Sequence, residues 1–313
     1  MRIVSPPPGL PGLCCALGLD PERAGGTHER FSPPAARAKP HATRSVLPPG
    51  LTDSAEIDRL VSERLLEGLP IYELDVELLE RIGPDLILTQ ELCEVCAVSY
   101  TDVLAAAQQL SSQPDVVSIE PNTLDDVLTS IQTIGRLTGR AVTAAAVVEA
   151  LRHRLDWISE RIVTTHASPR RVVCLEWLDP PMVAGHWVPE MVRRAGGVDL
   201  LGRAGEPSFR VGWDDVRAAE PDVLVLMPCG YDLPQTVREA ERLGNVPGID
   251  QLPAARSRQV YAVDGSGYFN RPGPRLIGGV EILAGILHPE AFAGVTRAGA
   301  VQPVQIRAVE PSR

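Results

Sequence analysis

From Thr123 to Thr165 the chain contains no proline and places an apolar residue at every third or fourth position. Val127, Ile131, Ile134, Leu137, Val147, Leu151, Leu155, Ile158 and Ile162 carry this rhythm. It matches the 3.6-residue turn and predicts one long helix over 123–165. Thr123, followed by Asp125 and Asp126, supplies a capped and dipole-compatible start. Gly135 and Gly139 weaken such a helix without ending it. A helix of about 40 residues extends about 60 Å. That is longer than one compact lobe, so the helix is expected to bridge two.

The pattern on either side changes to short apolar runs alternating with helical stretches. LLERIGPDLILTQELCEVC precedes the long helix, and DDVRAAEPDVLVLMPCGYD follows it. Each segment reads as a short helix, a Pro-Asp turn (Pro84–Asp85, Pro221–Asp222), a buried strand and a cysteine-bearing loop. An Arg-led strand opens each half, RIVS at 2–5 and RRVVCLE at 170–176. An acid stands seven residues before each Pro-Asp proline, Glu77 in one half and Asp214 in the other. Further strands are predicted at 71–74, 116–119 and 259–263, and further helices at 54–67, 99–110, 187–195, 234–243 and 274–287. The stretch 28–50 shows neither period.

Quick alternation of strand and helix predicts an α/β fold with two parallel-sheet lobes joined by a single long α-helix. The expected organisation is an N-terminal lobe over 1–122, the linking helix over 123–165 and a C-terminal lobe over 166–293. Residues 294–313 lack periodicity and are expected to be a disordered tail. Parallel sheets bind ligands at the C-terminal ends of their strands, so two such lobes would face a ligand across a crevice.

Composition removes several classes of function. The net charge is −10 over 313 residues, with a single Lys (Lys39), which argues against a nucleic-acid surface. No apolar run reaches the 18 residues of a membrane span. Prolines interrupt MRIVSPPPGLPGLCCALGL, which therefore does not read as a signal peptide. As written the chain is expected in the cytoplasm, and outside it if the true start lies upstream. The phosphate loop, the GxGxxG turn, the GxSxG elbow and the HExxH helix are all missing from the sequence, so no catalytic residue is assigned.

Cys93 and Cys96 lie three apart in ELCEVCAVSY. This spacing fits half of a zinc site, a thiol redox pair or a cleft loop, and no second Cys-x-x-Cys decides between them. A soft set of Cys93, Cys96, His28 and His186 is the candidate for contact with a metal. Cys14, Cys15 and Cys174 lie in apolar surroundings and are expected in the core. Aromatic residues make up only 4% of the chain. Trp177, Trp187, Trp213, Tyr268 and Phe269 nevertheless cluster near the strand ends of the second half, where they would suit a flat ligand.

Two α/β lobes, one long helix, the RIVS opening and the paired Pro-Asp strands resemble a known family over roughly residues 1–290. It comprises the vitamin B12 and iron-siderophore substrate-binding proteins of ABC importers, the helical-backbone metal receptors. The resemblance implies a protein that binds rather than catalyses, with no obligatory cofactor and with cobalamin or another metal chelate as ligand. It also implies a permease partner docked through Glu77 and Asp214. EWLDPPMVAGHW resembles the family's first cleft stretch of the second lobe and brings in Glu176, Trp177, His186 and Trp187. GYFNRPGPRL brings in Tyr268, Phe269 and Arg271, THERFSPP brings in His28 and Glu29, and QELCEVC brings in Gln90, Cys93 and Cys96. Cys229 completes the expected ligand set. Two alternatives stand beside this reading. One is a cytoplasmic metal or thiol enzyme using Cys93, Cys96 and Cys229 in the same cleft, and the other is a ligand-sensing protein.

Overall fold

The computed structural model describes residues 1–28, 39–90, 98–295 and 299–306. They form two compact units. The first comprises 1–121, 125–150 and 272–274, and the second comprises 122–124, 151–271 and 275–313.

The first unit begins with β1 (Ile3–Ser5), α1 (Leu10–Ala16), β2 (Arg23–Gly26), β3 (Thr43–Ser45), α2 (Ser54–Leu66) and β4 (Tyr72–Leu74). α3 (Val76–Ile82), β5 (Leu86–Thr89), α4 (Tyr100–Gln109) and β6 (Asp115–Ser118) follow. Its sheet has the order β2-β1-β5-β6 and is parallel throughout. Every residue of β5 is buried, as expected of a parallel strand covered on both faces. Val4, Ile87, Leu79, Val103 and Leu110 form the core between sheet and helices. The predicted strand at 71–74 is present as β4, but it pairs antiparallel with β3 in a separate two-stranded sheet. β3 lies in the stretch that shows no sequence period, because three residues are too few to display one.

The helical segment departs from the single element expected. α5 (Leu124–Leu137) and α6 (Ala141–Val163) are separate helices. Gly139 takes φ +71° between them. This left-handed conformation closes α5, as a glycine after a helix commonly does. Gly135 then allows close packing: a Cβ there would stand 2.4 Å from Ala144 Cβ. α6 continues without a break from the first unit, through Ala150, into the second, from Leu151.

The second unit contains β7 (Arg170–Leu178), β8 (Pro181–Val183), α7 (Val188–Arg194), β9 (Gly197–Asp199), β10 (Phe209–Arg210) and α8 (Trp213–Ala219). β11 (Val223–Leu226), α9 (Leu233–Ala240), α10 (Pro253–Arg256), β12 (Val260–Val263), α11 (Gly265–Tyr268), α12 (Leu276–Leu287) and β13 (Val301–Pro303) complete it. β7, β11 and β12 form the parallel centre, and β9 extends it beside the start of β7. β8, β10 and β13 add antiparallel edges, so this sheet is mixed rather than purely parallel. β13 also corrects the expected disordered tail, since Val301, Gln302 and Pro303 pair with Val263, Ala262 and Tyr261.

The Pro-Asp repeat has the same structural role in both units. Asp85 Oδ2 accepts the Arg2 amide at 2.6 Å, and Asp222 Oδ2 accepts the Arg171 amide at 3.0 Å. The two aspartate amides in turn donate to the Arg2 and Arg171 carbonyls, each at 2.9 Å. Each carboxylate thus satisfies the first free donor of the neighbouring strand and sets the register of the central parallel pair.

Candidate functional site

At the C-terminal ends of β7, β11 and β12 the second unit gathers the last residues of β7 and the segments that follow β11 and β12. Met227 and Cys229 donate their amides to the carbonyls of Leu175 and Glu176, at 2.9 and 3.0 Å, which holds the PCGYD loop against the end of β7. Ser266 donates its amide to Tyr231 O at 3.0 Å, and Asn270 Nδ2 donates to Met227 O at 3.0 Å. The loop after β12 is therefore tied to the loop after β11. Ligands of open α/β sheets bind at this end of the strands.

Glu176 is half-buried, and Ser208 Oγ donates to its Oε2 at 2.7 Å while accepting the Gly185 amide at 3.2 Å. Burial pushes the Glu176 carboxyl above the usual carboxylate range, and the Ser208 hydroxyl opposes that shift. Trp177 meets Tyr231 edge to face at 5.6 Å and anchors its indole N–H on Asp179 O at 3.1 Å. Arg275 lies 4.4 Å over the ring of Tyr268, in cation–π contact. Asp264 receives the Gly267 amide at 2.7 Å. Burial raises its carboxyl, Asp232 adds to that, and the Gly267 amide, Arg275 and Arg271 oppose it. Among the described residues Ser266 Oγ, Asn270 Oδ1 and His186 Nδ1 are buried without a hydrogen-bond partner. The rim therefore combines flat apolar faces with two partly buried carboxyls and two guanidiniums. Such a surface suits a large planar ligand with polar edges.

Glu176 and Trp177 lie at the end of β7, Cys229 in the loop after β11, Tyr268 at the end of α11 and Arg271 just beyond it, so all five belong to this end of the sheet. Two expected contacts do not. Phe269 is fully buried, and Trp187 is 4% exposed, donating its indole N–H to Phe269 O at 2.7 Å. Both aromatics fill the core behind the rim, because a buried indole needs an acceptor and finds it in that carbonyl. His186 takes φ +49° and stacks on Trp187 at 5.5 Å, and burial keeps its imidazole pKa below the ordinary value. Tyr231, Ser208 and Asn270 were not legible as site residues. Two of them carried a signal, Tyr231 two positions after Cys229 in the same loop and Asn270 between Phe269 and Arg271.

In the first unit the corresponding strand ends carry Ser5, Thr27, His28, Thr89 and Gln90. His28 Nδ1 lies 2.9 Å from Thr43 Oγ1, and its ring stands 5.4 Å from Tyr72. Gln90 is buried, and Ser5 Oγ and Thr89 Oγ1 are buried without hydrogen-bond partners among the described residues. Glu29, Cys93 and Cys96 lie outside the described residues. Among those described, no group of three or more His, Cys, Asp or Glu is placed to hold a metal ion. Cys14 and Cys174 are core thiols, as expected; burial pushes Cys14 up to about 12 and Cys174 well above its ordinary value.

Glu77 and Asp214 occupy equivalent places. Each is the second residue of the short helix before a Pro-Asp strand, α3 and α8, and each is exposed. Asp214 pairs with Arg217 one turn on.

Comparison with known proteins agrees with this fold. The chain is 23% identical over 232 residues to an uncharacterized ABC transporter substrate-binding lipoprotein, YvrC, of Bacillus subtilis, covering 72% of this chain and 69% of that protein. Among solved structures it is similar to a periplasmic heme-binding protein from Pseudomonas aeruginosa, with a TM-score of 0.70 and 18% identity over 92% of this chain and 93% of that one. It is also similar to the periplasmic vitamin B12-binding protein BtuF of Vibrio cholerae, with a TM-score of 0.65 and 19% identity over 91% and 96% of the two chains. No described helix is long and apolar enough to cross a membrane. Residues 54–266 match the model of the periplasmic binding protein family, and the chain belongs to that family.

Proposed function

We propose that this protein is the substrate-binding component of an ABC importer and that its ligand is a corrinoid or a related flat metal chelate. The observation that carries this reading is the aromatic rim of the second unit, with Trp177 at the end of β7, Tyr231 in the loop after β11 and Tyr268 at the end of α11, on segments tied to one another by backbone hydrogen bonds beside Glu176 and Arg271. Rigid aromatic faces bind a macrocycle at small entropic cost, and the polar groups select its edge substituents. The heme and vitamin B12 ligands of the similar solved structures support the same ligand class. Residence outside the cytoplasm follows from the same reading and is supported by the lipoprotein relative.

An absorbance titration with hydroxocobalamin and, separately, with hemin tests the ligand. Saturable binding of one of them is expected, weakened about tenfold by Trp177→Ala, which corresponds to about 1.4 kcal/mol of lost contact. A flat titration with both compounds would remove the chelate from the account. Cys229→Ser separates thiol contact from packing, because only contact with the metal changes the bound spectrum.

The permease is proposed to dock on Glu77 and Asp214, using charges presented at matching places in the two units. Interfacial charge pairs govern encounter and register. The Glu77→Arg/Asp214→Arg double variant is expected to lower cellular uptake of the ligand at least about tenfold, since like charges then face each other. Uptake at the wild-type rate would exclude these acids from docking.

A further inference from the structure

A second recess of the second unit lies away from the aromatic rim. Its volume is 420 Å³, and Ser159, Ile162, Arg193, Arg194 and Gly196 line it. Gly196 directly precedes β9, which runs parallel to β7. The recess therefore sits at the N-terminal ends of the strands, opposite to Glu176 and Cys229. We propose that this recess binds a phosphate group, either inorganic phosphate or the phosphate monoester of a small molecule or lipid.

Charge is the first support. Arg193 Nη2 and Arg194 Nε each stand 3.7 Å from the same Glu190 oxygen, too far for a hydrogen bond. The other Glu190 oxygen is occupied by the Leu124 amide at 3.1 Å. Two guanidiniums thus share one carboxylate, leaving surplus positive charge on a chain whose net charge is −10.

Unsatisfied buried donors and acceptors are the second support. Arg194 Nε is buried with no hydrogen-bond partner among the described residues, and so is Nε2 of His288. His288 is 6% exposed and lies against Gly196, where a Cβ would stand 2.5 Å from that nitrogen. Buried polar groups are normally paired, and an unpaired guanidinium nitrogen beside a recess calls for an anionic partner. A tetrahedral oxyanion presents several acceptor oxygens, so it can engage both guanidiniums at once. The carbonyl end of α7 opposes an anion only weakly in comparison, because the helix is only seven residues long. The volume exceeds what phosphate alone fills, and Ile162 offers an apolar wall for an organic substituent.

The test is a ³¹P NMR titration of the full chain in phosphate-free buffer, with inorganic phosphate and with glycerol 3-phosphate, at constant ionic strength. Saturable binding is expected, at least about tenfold weaker in Arg193→Gln/Arg194→Gln, which removes both charge-assisted donors. Glu190→Gln, which removes the competing carboxylate and keeps an acceptor for the Leu124 amide, is expected to bind several-fold more tightly. Flotation with phosphatidylcholine vesicles, with and without phosphatidate, separates a lipid source from a soluble one. Absence of saturable binding to all of these phosphate probes overturns the proposal, as does equal binding by the double arginine variant. Should that variant unfold, Glu190→Gln decides alone, and unchanged or weaker binding overturns the proposal.

Discussion

Gly279→Ala is expected to destabilise the second unit by about 2–3 kcal/mol, although a helical glycine replaced by alanine ordinarily gains up to about 1 kcal/mol. Gly279 lies in α12, of which nearly every residue is buried. A Cβ there would stand 2.4 Å from Tyr268 O, 2.5 Å from Met191 Cε and 3.3 Å from Phe269 Cε1. Met191 can move aside, because its thioether chain has several soft rotamers. The Tyr268 carbonyl cannot, because Phe269 and Asn270 are hydrogen-bonded to Gly265 and fix that loop. Steric strain therefore exceeds helix propensity. Gly12→Ala in α1 is the matched control, since nothing lies within 4 Å of its Cβ position, and a small gain is expected there. Urea unfolding monitored by circular dichroism measures both. A stabilised Gly279→Ala would show that the loop carrying Tyr268 yields readily and that the rim is not rigidly held. The same substitution displaces Tyr268, so weaker chelate binding should accompany the lost stability.

Asp199→Asn is expected to stabilise the protein at pH 7.5 by roughly 1–3 kcal/mol and to have almost no effect at pH 4. Asp199 ends β9, and its Oδ1 accepts the amides of Leu201 and Gly202 at 3.2 and 2.8 Å. Its Oδ2 is buried without a partner among the described residues. Burial raises the carboxyl from 3.8 to about 6, with the two amides opposing. A carboxyl whose folded value lies above its unfolded value binds its proton more tightly in the native state. Its favourable contribution is therefore complete below about pH 4 and disappears as the pH rises through about 6. Asparagine keeps the Oδ1 acceptor and removes the charge, so variant and wild type should converge in acid and separate toward neutrality. Thermal midpoints of the two proteins at pH 4, 5, 6 and 7.5 provide the comparison. A difference independent of pH would mean that the carboxylate is solvated in the native state. Other groups titrate over the same range, but they are common to both chains and cancel.

The two predictions depend on different kinds of information. Nothing in the sequence LIGGVEILAGIL distinguishes Gly279 from the other helical glycines, because its constraint comes from a carbonyl eleven positions earlier in the chain. Asp199 is similarly anonymous in GGVDLLG. It becomes unusual only because β9 pairs beside β7 and places the carboxyl in apolar surroundings.

Local chemistry is what the sequence by itself determined. Runs such as LILT and VLVL are buried strands because a parallel sheet covered on both faces requires apolar side chains at every position. The Pro-Asp pairs marked where both central strands begin, and the structure added that each aspartate takes the amide of the neighbouring strand. The repeated spacing put Glu77 and Asp214 at equivalent helix starts, and the family resemblance pointed to Glu176, Trp177, Cys229, Tyr268 and Arg271 as expected cleft residues. Tertiary structure decided the rest. It ended α5 with Gly139 at positive φ while keeping Gly135 inside the helix, and it paired a strand three residues long at 301–303. It also sent Trp187 and Phe269 inward while leaving Trp177 and Tyr268 half-buried, although all four are aromatic residues near strand ends. Periodicity records which residues avoid water, but which side of a loop they turn toward depends on neighbours supplied from distant parts of the chain.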